Sequence, residues 1–131
     1  MTESNKKILI IEDDKFLAKM LSRMLEANNY SVALASTGKE GLTKAASENP
    51  GLILLDIMLP DIDGFDVLKS LKGDEKTKKI PVVILSNLGQ AEDIEQGRKL
   101  GADDYLVKSD LSLDEVVAKV RKYWPEVTAK T

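Results

Sequence analysis

Five short runs of aliphatic residues recur along the chain, and between them the apolar positions change period. Lys7–Ile11 (KILII), Ser31–Ala35 (SVALA), Leu52–Leu55 (LILL), Val82–Leu85 (VVIL) and Tyr105–Val107 (YLV) are continuous rather than alternating. That is the pattern of strands covered on both faces. In the intervening stretches apolar residues fall three and four apart, as on one face of a helix. The first predicts a helix that buries Phe16, Leu17, Met20, Leu21, Met24 and Leu25; the last predicts one that buries Val116, Val117, Val120 and Trp124. Thr37 with Glu40, and Ser112 with Glu115, have the spacing of capping boxes, and Pro125 marks the end of the last helix. Strand and helix alternate five times, so the expected fold is α/β, a doubly wound five-stranded parallel sheet with helices on both faces.

Length and charge narrow the picture. The 131 residues suffice for one domain, and the six that follow Pro125 leave no room for an output domain, so a single unit is expected. Against 19 Lys and Arg stand 22 Asp and Glu, a formal charge of −3, which offers no footprint for nucleic acid. No apolar run approaches a membrane span or a signal peptide, so a soluble, cytoplasmic protein without a membrane partner is expected. The chain has no Cys and no His. Disulfides, thiolate metal sites and histidine chemistry are thereby excluded.

In an open parallel sheet the functional crevice lies beyond the carboxyl ends of the strands. The residues expected there are Glu12, Asp13 and Asp14 after the first run, Asp56 after the third, Ser86 and Asn87 after the fourth, and Lys108 after the fifth. Carboxylates gathered at one crevice repel one another unless a cation sits among them, and an oxygen-only set suits Mg²⁺. A lysine and a hydroxyl facing the same cluster suggest an anion bound on the metal. Each residue also has a plainer reading. Asp14 is best explained as the N-cap of the first helix, and Asp61 and Asp63 as turn and cap residues. Capping does not explain Asp56, which is followed by IMLP and not by a helix.

Together the acidic cluster after strand one, LLDIMLPDIDGFDVL around Asp56, PVVILS ending at Ser86 and GADDYLVK ending at Lys108 resemble the receiver domain of a bacterial two-component response regulator, over Lys7 to Trp124. The resemblance implies a flavodoxin-like fold of strand order 2-1-3-4-5. It implies that Asp56 is the phosphoacceptor, taking a phosphoryl group from a phosphohistidine on a sensor histidine kinase or histidine phosphotransfer protein, with an unspecified protein target downstream. Asp13 and Asp56 would ligate Mg²⁺ directly, Met58 through its backbone carbonyl and Glu12 through water. Lys108, Ser86 and Asn87 would hold the phosphoryl oxygens. Ser86 and Tyr105 would act as the switch that alters the surface of strand four, helix four, strand five and helix five. The domain would catalyse only its own phosphorylation and dephosphorylation.

Two departures lead to further expectations. Met58 and Leu88 stand where the family flanks the path of the hydrolytic water, and both are apolar, so a long-lived aspartyl phosphate is expected. Ser109 replaces the proline that usually follows the lysine through a cis bond; a trans bond is therefore expected, because cis before a non-proline costs about 3 kcal/mol. Other readings compete. A degenerate receiver would be a pure interaction module, although every site position here carries a competent residue. DIDG at Asp61–Gly64 resembles the start of haloacid-dehalogenase-type phosphatases, but there the first Asp directly follows a strand, whereas here Leu59 and Pro60 intervene. Flavin or nucleotide binding would need a glycine-rich loop after strand one, and none is present.

Overall fold

The computed structural model describes residues 7–110 and 112–124. Five strands, β1 (Lys7–Ile11), β2 (Ser31–Ala35), β3 (Leu52–Leu55), β4 (Val82–Ser86) and β5 (Asp104–Val107), alternate with five helices. The helices are α1 (Lys15–Ala27), α2 (Gly38–Glu48), α3 (Gly64–Gly73), α4 (Ala91–Lys99) and α5 (Leu113–Tyr123). All strands are parallel, in the order β2-β1-β3-β4-β5. The expected architecture and strand order are both present.

The continuous apolar runs follow from a sheet with two covered faces. In β1, Leu9 and Ile11 join a cluster with Val67, Leu68 and Leu71 of α3, while Ile8 and Ile10 join Leu21 and Leu25 of α1 and Val116, Val117 and Val120 of α5. Alternate residues of one strand thus serve different layers, and neither face can be polar. The edge strands differ from that pattern. In β2 Ser31 and Leu34 are exposed, and β5 is only half-buried, because each has one neighbour in the sheet.

Helix α1 corrects one expectation. Its buried residues are Ala18, Leu21 and Leu25, whereas Phe16 is 74% exposed and Met20 also faces solvent. Ala18, Leu21 and Leu25 lie three and four apart and define the core stripe; Phe16 and Met20 share a different stripe. The last helix buries Val116, Val117, Val120 and Trp124 as expected. Pro125, read as its stop signal, lies outside the described residues. Ser112 and Glu115 form a reciprocal capping box. At α2 the reciprocity is shifted by one residue, since Thr37 accepts from the Glu40 N–H while the Glu40 carboxylate takes the Ser36 N–H.

Candidate functional site

Parallel pairing brings every strand's carboxyl end to one edge of the sheet. Ile11 pairs with Leu55, so the residues that follow, Glu12 and Asp56, lie side by side where the strand order reverses. The Asp56 N–H donates to the Ile11 carbonyl at 3.0 Å and the Glu12 N–H to the Ala35 carbonyl at 2.9 Å, so both carboxylates project from a hydrogen-bonded frame. Glu12 is 4% exposed and Asp56 5%, depths at which carboxylates require partners.

Lys108 is that partner for both. Its ammonium lies 2.8 Å from Glu12 Oε1 and 3.2 Å from Asp56 Oδ2. The other Glu12 oxygen accepts the Asp14 N–H at 3.1 Å. Burial pushes the Glu12 carboxyl above its ordinary 4.5, against the pull of the Lys108 hydrogen bond. Burial works against the Lys108 cation too, but the hydrogen bond it donates to Glu12 and the charges of Asp56 and Glu12 prevail and hold its pKa above 10.5. Carboxylate oxygens of Glu12, Asp13 and Asp56 all lie within 4.8 Å of one another. Three anions and one ammonium leave the cluster two negative charges in excess, and its donors are hard oxygens. That set fits a small divalent cation.

The remaining site residues frame the same crevice. Ser86, at the end of β4, is fully buried, and its Oγ accepts the Leu88 N–H at 3.2 Å. Asn87 follows it and is exposed. The Tyr105 hydroxyl donates to the Leu88 carbonyl, tying β5 to the β4–α4 loop. Burial, and then the Asp93 charge, raise the Tyr105 phenol above its ordinary 10.0. A cleft of about 480 Å³ opens beside the carboxylates, and Asp13, Met58 and Leu88 all line it. Met58 is 60% exposed.

Asp14 caps α1, accepting the Phe16 and Leu17 N–H groups at 3.1 Å each, and Asp63 caps α3 through the Phe65 N–H at 2.9 Å. Asp61 also caps, but the helix is α2, reached across the fold. No peptide bond is cis among the described residues. The Lys108–Ser109 bond is therefore trans, as expected, and a 3₁₀ turn spans Lys108–Asp110. The Glu12–Lys108 ion pair was not legible in the sequence; it joins residues after β1 and β5, and no local signal announces it.

The doubly wound sheet thus brings three carboxylates, a lysine and a hydroxyl to its strand ends. The profile described as "Response regulator receiver domain" matches residues 8–121, and the chain belongs to that family, the receiver domains of two-component response regulators. Among curated relatives, the "DNA-binding dual master transcriptional regulator RpaA" of Synechocystis sp. is 45% identical over 115 residues, which cover 88% of this chain and 47% of that protein. The "Alkaline phosphatase synthesis transcriptional regulatory protein PhoP" of Bacillus subtilis is 41% identical over 117 residues, covering 89% and 48%. The chain therefore spans about half the length of these relatives. Among solved structures, a Francisella response regulator 1452 receiver domain matches at TM-score 0.85 with 35% identity, covering 93% of this chain and 98% of that one. A CheY-like receiver domain protein from Methanospirillum hungatei matches at TM-score 0.85 with 27% identity, covering 96% and 98%. No described helix is long and apolar enough to cross a membrane.

Proposed function

We propose that residues 7–124 form a receiver unit in which Asp56 is the phosphoacceptor and a histidine kinase or histidine phosphotransfer protein is the donor. The observation that supports this most strongly is the contact of Lys108 with a buried Asp56 at the carboxyl edge of the sheet. An ammonium beside the Asp56 carboxylate would neutralise charge on phosphoryl oxygens that arrive there. In the step itself an Asp56 oxygen attacks the phosphorus of phosphohistidine, the P–O bond forms as the P–N bond breaks, and the imidazole leaves and takes a proton from solvent. Asp13, Asp56, the Met58 backbone carbonyl and, through water, Glu12 would hold Mg²⁺, which supplies charge neutralisation at the equatorial oxygens. Lys108, the Ser86 hydroxyl and Asn87 take the remaining oxygens. Ser86 then draws on Tyr105 through the β4–α4 loop that both residues already contact.

The chemistry ends with the domain's own acyl phosphate and its hydrolysis, so the unit acts as a switch and not as an enzyme with an external product. Protein partners in the cytoplasm fit a net charge of −3 better than nucleic acid does. Asp56→Asn should abolish incorporation of one phosphoryl group from acetyl phosphate, read by intact mass, with the far-UV spectrum unchanged. A variant labelled at the wild-type rate overturns the assignment of Asp56.

A further inference from the structure

The loop that follows Asp56 is exposed at Met58, Pro60 and Asp61, yet it is tied down at its far foot. Both oxygens of Asp61 engage the first turn of α2. The Gly38 N–H donates to Oδ1 at 2.8 Å and the Lys39 N–H to Oδ2 at 3.0 Å. The next two amides are satisfied within the helix start itself, Glu40 by the Thr37 hydroxyl at 3.1 Å and Gly41 by the Thr37 carbonyl at 3.0 Å. Of the amides at the start of α2, those of Gly38 and Lys39 are thus capped by a residue from a different loop. The Lys39 amide, and then that of Gly38, hold the Asp61 carboxyl below its ordinary 3.8.

The surrounding packing makes this contact specific. A Cβ at Gly38 would stand 2.6 Å from Ile62 Cγ1, so a larger residue would force α2 or the Ile62 side chain to shift. A Cβ at Gly41 would stand 2.5 Å from Ile11 Cδ1, and Ile11 is the residue before Glu12. Helix α2 therefore rests on the chain at both sides of the carboxylate cluster. Within the loop the Met58 N–H lies 3.3 Å from Asp56 Oδ1, and the Leu59 and Gly64 N–H groups donate to the Ile57 carbonyl at 3.1 Å and 2.8 Å, which restrains the near foot.

We propose that Asp61 is a positioning residue for the site, clasping the loop to α2 so that the Met58 backbone carbonyl is held ready for the cation. The inference rests on the metal and phosphoacceptor reading given above. Its cause is entropic: a loop anchored at both feet has less freedom to lose when a carbonyl becomes a ligand. Thr37 supplies the control, since its hydroxyl caps the same helix end through the Glu40 N–H, whereas Asp61 reaches that end from the loop.

The experiment compares the wild type with Asp61→Ala, Asp61→Asn and Thr37→Ala. Mg²⁺ is titrated against backbone amide shifts, and amide hydrogen exchange is followed in the metal-free protein. Asp61→Ala should weaken Mg²⁺ binding about tenfold, the low end for groups that orient a metal's ligands. The same variant should slow labelling by acetyl phosphate at subsaturating Mg²⁺, with recovery at saturation, and should speed exchange at Gly38 and Lys39. Asp61→Asn, which keeps one acceptor, should fall between. Thr37→Ala should bind Mg²⁺ within about twofold of the wild type. Unchanged affinity in Asp61→Ala overturns the clasp, and so does an equal loss in Thr37→Ala, which would trace the effect to α2 stability alone. A wild-type chain that binds no Mg²⁺ overturns the metal reading itself.

Discussion

Replacing Lys108 with Met keeps the aliphatic stem and removes the only ammonium that touches the buried carboxylates among the described contacts. Its Nζ lies 2.8 Å from Glu12 and 3.2 Å from Asp56, and the three side chains are 17%, 3% and 6% exposed. At an effective dielectric of about 20, each contact carries roughly 5 kcal/mol of gross attraction. Desolvation of three ions cancels most of it, so the pairs add little net stability while they are intact. Breaking them is another matter. Two carboxylates whose oxygens lie within 4.8 Å of each other, and of Asp13, would be left without a counter-ion. Unpaired buried charges of this kind cost about 3 to 5 kcal/mol, and the neighbouring cleft admits enough water to favour the lower figure. A loss of about 3 kcal/mol is large beside a domain stability of about 5 to 15 kcal/mol. The assay is urea unfolding in metal-free buffer near neutral pH, with the m-value checked for constancy. Adding Glu12→Gln to Lys108→Met should recover about 1 to 2 kcal/mol by removing one orphaned charge. Excess Mg²⁺ should narrow the gap as well. If Lys108→Met unfolds within about 0.5 kcal/mol of the wild type, the ammonium is a solvated surface charge and this electrostatic reasoning fails.

Met58 and Leu88 line one cleft beside Asp13 and present no group that could orient a hydrolytic water. Introducing Met58→Asn with Leu88→Glu should therefore speed loss of label from phosphorylated protein about tenfold, and an unchanged decay sinks the idea. Acid stability should depend on Asp104. Burial opposes its charge, but the Lys119 hydrogen bond, the Tyr105 amide and Tyr123 prevail and hold its pKa below 3.8. A carboxylate with a depressed folded pKa stabilises above its unfolded value and loses that contribution as pH falls through the folded one. Asp104→Asn should accordingly flatten the fall in stability below pH 3.8, read by urea unfolding across the acid range. The single Trp should be silent to Mg²⁺. A Cβ at Gly51 would lie 2.6 Å from the Trp124 ring, which places the indole at the amino end of β3, about 16 Å from the Asp56 end. Strong quenching on metal addition would contradict that placement.

Periodicity alone was enough for the layers of this protein. Runs such as LILL and VVIL are apolar at every position because alternate residues face opposite layers, so the demand for a sheet covered on both sides is written locally in each strand. The carboxyl-end rule for parallel sheets then gathers Glu12, Asp13, Asp56, Ser86 and Lys108 at one edge before any coordinate is known. Local pattern could not say how a helix rotates on the sheet. Phe16 and Met20 carry helical spacing as good as that of Leu21 and Leu25, and only the docking of α1 against β1 and α5 decided that the first pair faces solvent. Nor could it pair groups separated by most of the chain. The Lys108 contact with Glu12 and the reach of Asp61 to the α2 amides depend on which loops the sheet order makes neighbours. A carboxylate's chemistry is written in its own residue type, but its partner is chosen by the topology that folds distant segments together.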